Sequence, residues 1–340
     1  MKKEALFIGG TGTISMAITR LLATKEQWHL TLINRGSRQT ELPKGVDTIT
    51  VDINDEKAVM KALEGRKFDT VCDFIGFVPS QLERDYRIFK DKTKQFMYIS
   101  SASAYNKLPA DCVITEGTAL ANPYWEYSRN KIACEDFLMK MYREEGFPVT
   151  IIRPSHTYDD RSVPLGVHGS KGSYQVIKRM LEGKPVIIHG DGTSIWTMTY
   201  NEDFAVGFAG LMGNPHAIGE AFQITNDEKL TWNQIYQTVA NVLNVELKPF
   251  YVSSYFLAEV GKQYDYTGGL IGDKSNSVLF DNSKLKRAVP EFKPSIHFED
   301  GIRRTLENVL STPALQVEDP EFDKWCDRVI EIQKEAADRF

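Results

Sequence analysis

The stretch Phe7-Ile-Gly-Gly-Thr-Gly-Thr-Ile-Ser15 decides how this chain folds: an apolar strand end feeds a glycine-rich turn, and a helical pattern follows. Gly9 permits a sharp turn because glycine tolerates positive φ. Gly10 and Gly12 let the backbone approach a pyrophosphate, whose charge is favoured at the N-terminus of the next helix, at Thr13 and Ile14. The third small position is Ser15 in place of glycine, which predicts slightly looser packing of helix on strand. Alone, the turn serves equally well as an ordinary strand-to-helix connection; its surroundings favour cofactor binding.

Outward from the turn, short apolar runs alternate with helical patterns as far as residue 155. Strands are expected at Ala5–Ile8, His29–Ile33, Thr48–Val51, Thr70–Phe74, Gln95–Ser100 and Val149–Arg153, with helices such as Ile14–Thr24 and Glu56–Leu63 between them. Such alternation means right-handed crossovers and a parallel sheet covered on both faces, an α/β fold with a Rossmann-type doubly wound sheet. Beyond Arg153-Pro154 the rhythm breaks, and Gly, Pro and Ser are dense through Gly192, around one helix at Tyr174–Leu181. Asn201–Met212 and Ala221–Thr225 read as a helix and strand returning to the sheet. The expected organisation is a dinucleotide-binding domain over 1–155, rejoined by 201–225. A smaller, mostly helical substrate lobe takes 156–200 and 226–320, and a C-terminal helix takes 321–340.

The 340 residues suffice for a sizeable core, and 42% apolar with 26% charged residues is ordinary for a globular enzyme. A formal net charge of −5 argues against a general nucleic-acid binder. No apolar run is long enough to span a bilayer, and the N-terminus turns into strand and glycine loop too soon for a signal peptide. Cys72, Cys112, Cys134 and Cys326 show neither metal nor disulfide spacing. The expectation is a cytoplasmic protein that takes a small-molecule substrate, with no nucleic acid, no membrane and no metal, since the six histidines do not cluster.

The second strand ends Asn34-Arg35-Gly-Ser-Arg38. An NAD-selective site places a carboxylate there for the ribose 2′-hydroxyl; two arginines suit a 2′-phosphate instead, so NADP is the expected cofactor. Asp52, beside Ile53, is placed to accept from the adenine amino group, although a helix cap at Asp52 or Asp55 fits nearly as well.

Chemistry enters at Tyr127-Ser-Arg-Asn-Lys131, downstream of the strand end Ile99-Ser-Ser-Ala-Ser-Ala-Tyr105. Ala133, Phe137 and Met141 repeat every fourth residue, so Tyr127–Met141 reads as a helix that carries Tyr127 and Lys131 on one face. A free phenol, with a pKa near ~10, is a poor base at neutral pH. A neighbouring ammonium and an oxidised nicotinamide favour its phenolate. Ser101 would hold the same substrate oxygen.

These residues resemble the extended short-chain dehydrogenase/reductases, the NAD-dependent epimerase/dehydratase family, from the glycine turn to about residue 310. The resemblance implies a catalytic Ser101, Tyr127 as acid/base, and Lys131 both lowering its pKa and holding the nicotinamide ribose. It also implies that Arg153-Pro154-Ser155-His156-Thr157-Tyr158 touches nicotinamide at Pro154 and begins the substrate lobe at His156. Gly190-Asp191-Gly192, Asp203, Asp281, Ser283 and Lys284 match later family positions. Trp196 stands where sugar-nucleotide members carry a diphosphate-binding arginine, and either stacks on substrate or fills the core. Arg161, Lys171, Lys178 and Arg179 are candidates for a substitute cation. Dehydratases follow the catalytic Ser/Thr with an Asp-Glu pair; Ala102 and Ser103 occupy those places, so dehydration is not expected, and Ser103 becomes a candidate substrate contact. The resemblance thus implies an NAD(P)-dependent epimerase or reductase of sugars, with a nucleotide sugar as the expected substrate. It implies a homodimer formed through Gln81–Phe89 and Tyr127–Met141. Asn34-Arg35-Gly36 is also similar to atypical members, including chloroplast stem-loop RNA-binding relatives. The alternative is therefore a non-catalytic NADP-sensing or RNA-binding module.

Overall fold

The computed structural model describes residues 2–36, 41–107 and 112–340. Arg38 lies outside the described residues. Seven strands form one parallel sheet: Lys3–Ile8 (β1), Trp28–Asn34 (β2), Val46–Thr50 (β3), Thr70–Asp73 (β4), Phe96–Ile99 (β5), Val149–Pro154 (β6) and Ala221–Ile224 (β7). Their spatial order is β7-β6-β5-β4-β1-β2-β3. The order reverses beside β1, and in doubly wound sheets a ligand crevice opens at that switch point, outside the carboxyl ends of the strands.

The strands are apolar without alternation because both faces are covered; Ala5 through Ile8 are fully buried. On one face Thr13–Ala23 (α1) and Asn201–Leu211 (α6) pack Ile18, Phe204 and Phe208 against Phe7. On the other, Glu56–Ala62 (α2), Pro79–Phe89 (α3) and Glu126–Glu145 (α4) bring Val59, Leu82 and Leu138 against Leu6 and Tyr98.

A third core, built on Trp196, Trp232, Tyr236, Phe298 and Phe322, gathers mostly residues that follow β6. Tyr174–Leu181 (α5) and Trp232–Leu243 (α7) frame it, and short parallel ladders stiffen it, such as Val186–His189 beside Pro249–Val252. The C-terminal helix Pro320–Ala337 buries Phe322, Cys326, Val329 and Ile330 in this core.

Ser15 corrects one expectation. It is 1% exposed, its hydroxyl donates to the Gly9 carbonyl at 2.7 Å, and it accepts the Gly12 N–H at 2.8 Å. The hydroxyl ties the turn to the helix, so the packing there is close.

Candidate active site

The glycine turn opens a cavity of about 660 Å³ that runs along the carboxyl ends of β1, β2, β4, β5 and β6. Gly9 sits at φ +83, and a Cβ there would meet the Ile75 side chain at 2.5 Å. A Cβ on Gly10 would strike Leu32 at the same distance. The Ile75 and Leu32 side chains thus press on the turn where only glycine leaves room, and the first residues of α1, Thr13, Ile14 and Ser15, line the cavity, so a helix N-terminus that suits a dinucleotide pyrophosphate opens there.

The far wall holds Asn34, the exposed Arg35 and Gly36, followed by Asp52, Ile53 and Asn54. Asp52 is exposed and accepts from the Asn54 backbone N–H at 2.9 Å and from its side-chain amide at 3.0 Å, while Asp55 is the residue that caps α2.

At the other end stand Ser101, Tyr127, Lys131 and Pro154. Asn122 starts α4 by accepting the Tyr124 and Trp125 N–H groups through its side chain, and the helix then projects Tyr127 and Lys131 from one face. Ser101 stands beside Tyr127 at this end of the cavity. Burial pushes the phenol above its usual range, and the nearby Ser101 side chain pulls it part of the way back.

Lys131 is anchored to the backbone. Its ammonium donates to the Gly76 and Ile99 carbonyls, both at 2.7 Å, and lies 4.7 Å from the Phe77 ring centroid and 5.8 Å from that of Tyr127. One carbonyl at the end of β5 and one in the loop after β4 hold it near the Phe77 and Tyr127 rings. One of its three donors is left for a ligand. Burial pushes Lys131 down to about 8, with the charge of Asp73 opposing.

Ser103 and Trp196 are corrections. Ser103 is 5% exposed, its hydroxyl lies 2.9 Å from that of Ser101, and it accepts from Ser128 at 2.7 Å. It steadies Ser101 from behind and does not line the cavity. Trp196 is 2% exposed and packs on Trp232 in the third core, so it fills the core and does not line the cavity. His156 lines a smaller hollow of about 190 Å³ that adjoins the cavity at Thr13 and Thr157. Of the four candidate cations, Lys171, Lys178 and Arg179 turn to the C-terminal segment, at Glu318, Asp323 and Asp327. Arg161 is paired with Asp159 and donates to Thr13 at 3.0 Å.

One network was not read from the sequence. Asp73, at the end of β4, accepts the Ile75 and Gly76 N–H groups, and so shapes the turn whose Gly76 carbonyl holds Lys131. Asp73 and Asp85 are both fully buried, each with one carboxylate oxygen lacking a partner among the described residues, and burial together with the charge of Asp73 raises Asp85 well above the carboxylate range. Arg84 pairs with Asp85 at 2.8 Å and reaches Asn54 at 2.6 Å on the cavity wall. An acidic residue at the carboxyl end of a parallel strand, where ligands collect, was the available signal.

Residues 5–225 match the family model for the NAD dependent epimerase/dehydratase family. The chain is 22% identical over 291 residues to the 2′-dehydrokanamycin reductase of Streptomyces kanamyceticus, covering 85% of this chain and 80% of that protein. It is 25% identical over 252 residues to the chloroplast stem-loop binding protein of 41 kDa b of Arabidopsis thaliana, covering 70% and 63%. Among solved structures, UDP-glucuronic acid 4-epimerase of Bacillus cereus, in complex with UDP-glucuronic acid and NAD, superposes with a TM-score of 0.71 at 19% identity, covering 91% and 99%. The chain belongs to the NAD dependent epimerase/dehydratase family.

Proposed function

We propose that this chain is an NADP-dependent oxidoreductase or epimerase that interconverts a hydroxyl and a ketone on a sugar, with a nucleotide sugar as the class of substrate. The convergence of Ser101, Tyr127 and Lys131 on the cavity end opposite Arg35 carries the reading. The bound nicotinamide would supply or take up a hydride; the cradle at Gly9, Gly10, Gly12, Thr13 and Ile14 would hold the cofactor's pyrophosphate, Lys131 would hold the nicotinamide ribose, and Pro154 would touch the nicotinamide.

In the reducing direction, the carbonyl carbon gains the hydride and the carbonyl π pair moves to oxygen. Tyr127, whose raised pKa keeps it protonated, gives its proton to that oxygen. Ser101 donates a hydrogen bond to the same oxygen, and solvent reprotonates the phenolate. Ala102 and Ser103 offer no acid pair for elimination of water, which disfavours dehydration. The division into a cofactor domain (1–155 with 201–225) and a substrate lobe is part of this reading. The test is oxidation of NADPH by a panel of keto sugars, free and nucleotide-linked, followed by absorbance.

Arg35 should select the cofactor. One charge-assisted contact contributes about 1.5–3 kcal/mol, or about tenfold to a hundredfold. NADP is therefore expected to bind at least about tenfold more tightly than NAD, and Arg35→Ala should erase most of the difference in a calorimetric titration. Equal binding of the two cofactors by the intact protein would sink this assignment.

Two copies are expected to pair through α3 and α4 in a twofold four-helix contact. A monomeric mass by light scattering at micromolar concentration would contradict this. Similarity to the stem-loop binding protein supports a second, non-catalytic reading. The grouped Ser101, Tyr127 and Lys131 weigh against it, and a filter-binding assay with structured RNA separates the two.

A further inference from the structure

The turn after β4, Phe74-Ile75-Gly76-Phe77, touches both halves of the cavity. Ile75 presses on the glycine turn, where a Cβ on Gly9 would meet its side chain at 2.5 Å. The Gly76 carbonyl accepts from the Lys131 ammonium at 2.7 Å and from the Tyr98 hydroxyl at 3.2 Å. This turn is built on Asp73, whose Oδ1 accepts the Ile75 N–H at 2.8 Å and the Gly76 N–H at 3.1 Å. Only glycine fits at position 76, since a Cβ there would lie 2.3 Å from Asp73 Oδ2 and 2.9 Å from Leu82. Asp73 and Lys131 thus hold one glycine by its two ends, the carboxylate by the N–H and the ammonium by the carbonyl.

The charges around Lys131 point the same way. Its side chain is buried, and the groups whose charge raises it are Asp73, from β4, and Cys134 and Glu135, from its own helix. Burial pushes the Cys134 thiol up to about 11, so it is neutral, and Glu135 is paired with Arg153. Tyr98 and Tyr127, whose ring centroids lie 4.9 and 5.8 Å from the ammonium, are both raised by burial and neutral as well. Asp73 is the anion that remains. Toward it face Cys72 from its own strand, which burial keeps neutral, and Asp85 and Arg84 from α3. Arg84 is engaged by Asp85 at 2.8 Å and by Asn54. Burial raises both acids, Asp85 further, while two backbone N–H bonds favour the ionised form of Asp73. A buried carboxylate with one unpartnered oxygen is costly unless a nearby cation offsets it.

We propose that Asp73 is the positioning residue of this site: its buried carboxylate fixes the turn that seats Gly9 of the cofactor cradle on one side and holds the Lys131 ammonium on the other, for which it is the counter-charge. The inference rests on the reading of the cavity as a dinucleotide site in which Lys131 is the cation. Its first test needs no turnover.

Asp73→Asn keeps an acceptor for both N–H groups and removes the charge, whereas Asp73→Ala removes both. Lysines of the full-length protein are isotopically labelled at Cε and titrated by NMR, and Lys131 is identified by the signal missing from Lys131→Met. Its midpoint is expected near pH 8 in the intact protein. Asp73→Asn should lower it by about one unit or more, the effect of losing a nearby opposite charge, and should lower equally the pH above which kcat/KM falls. Asp73→Ala should weaken NADP binding about tenfold or more, because two backbone donors lose their acceptor and the turn its seat on Gly9. Should the alanine variant not fold, the asparagine variant decides alone. A purely structural Asp73 would leave the Lys131 midpoint unmoved in Asp73→Asn. That result, or undiminished NADP binding by a folded Asp73→Ala, overturns the proposal. A shifted midpoint in a protein that oxidises no NADPH with any keto sugar would instead sink the oxidoreductase reading and leave this one standing.

Discussion

Tyr127→Phe is expected to lower turnover by about 10²–10⁴ while leaving NADP binding nearly unchanged, the span over which a positioned acid or base contributes. Tyr127 lines the cavity together with Ser101, and no other described tyrosine lines that cavity. The ring is held between Trp125 at 4.9 Å and Phe77 at 6.5 Å. Phenylalanine keeps those contacts, so the variant removes a proton and little else. Steady-state rates on an identified keto sugar, together with cofactor titration, check this. Undiminished turnover would remove Tyr127 from the mechanism.

Lys131→Met is expected to cost about a hundredfold in kcat/KM, the scale of losing one preorganised charged donor, and to change the pH profile. The ordinary lysine value of 10.5 is pushed down to about 8 by burial, so the ammonium is present below pH 8 and is lost above it. If the reaction needs that charge, kcat/KM for reduction falls above pH 8, and the methionine variant lacks this limb. Stability moves in the opposite direction. Between pH 8 and 10.5 the unfolded chain holds the proton that the folded one has released, so stability rises with pH across that window. Below pH 8 the cost of burying the ammonium is present in full. Lys131→Met should flatten this rise in thermal-melting curves taken across the same range. A profile unaltered by the substitution would show that Lys131 is only a strut between two carbonyls.

The sheet was legible because its strands are short apolar runs with crossovers between them, and both properties are local. Tyr127 and Lys131 were legible for the same reason, since their shared face follows from helical period alone. Misjudged positions depended on side-chain contacts that an apolar pattern does not encode. The expected strand Thr70–Phe74 stops at Asp73 because that carboxylate turns onto the N–H groups of Ile75 and Gly76. Its link to Asp85 and Arg84 exists only once α3 packs on β4. Trp196 fits a core or a stacking site equally well until Trp232 is seen beside it. The carbonyls that hold Lys131 come from the end of β5 and the loop after β4, both distant from α4 in sequence. Ser15 shows a replacement for glycine whose hydroxyl does more than its size suggests.

The central claim is that this cavity moves a hydride while Tyr127 moves the proton. NADPH carrying deuterium at its transferable position, incubated with the intact protein and a keto sugar, tests it most directly. The predicted result is deuterium on the newly formed carbinol carbon with the intact protein, and none above background with Tyr127→Phe. A product alcohol without deuterium, or equal labelling by the two proteins, would contradict the account.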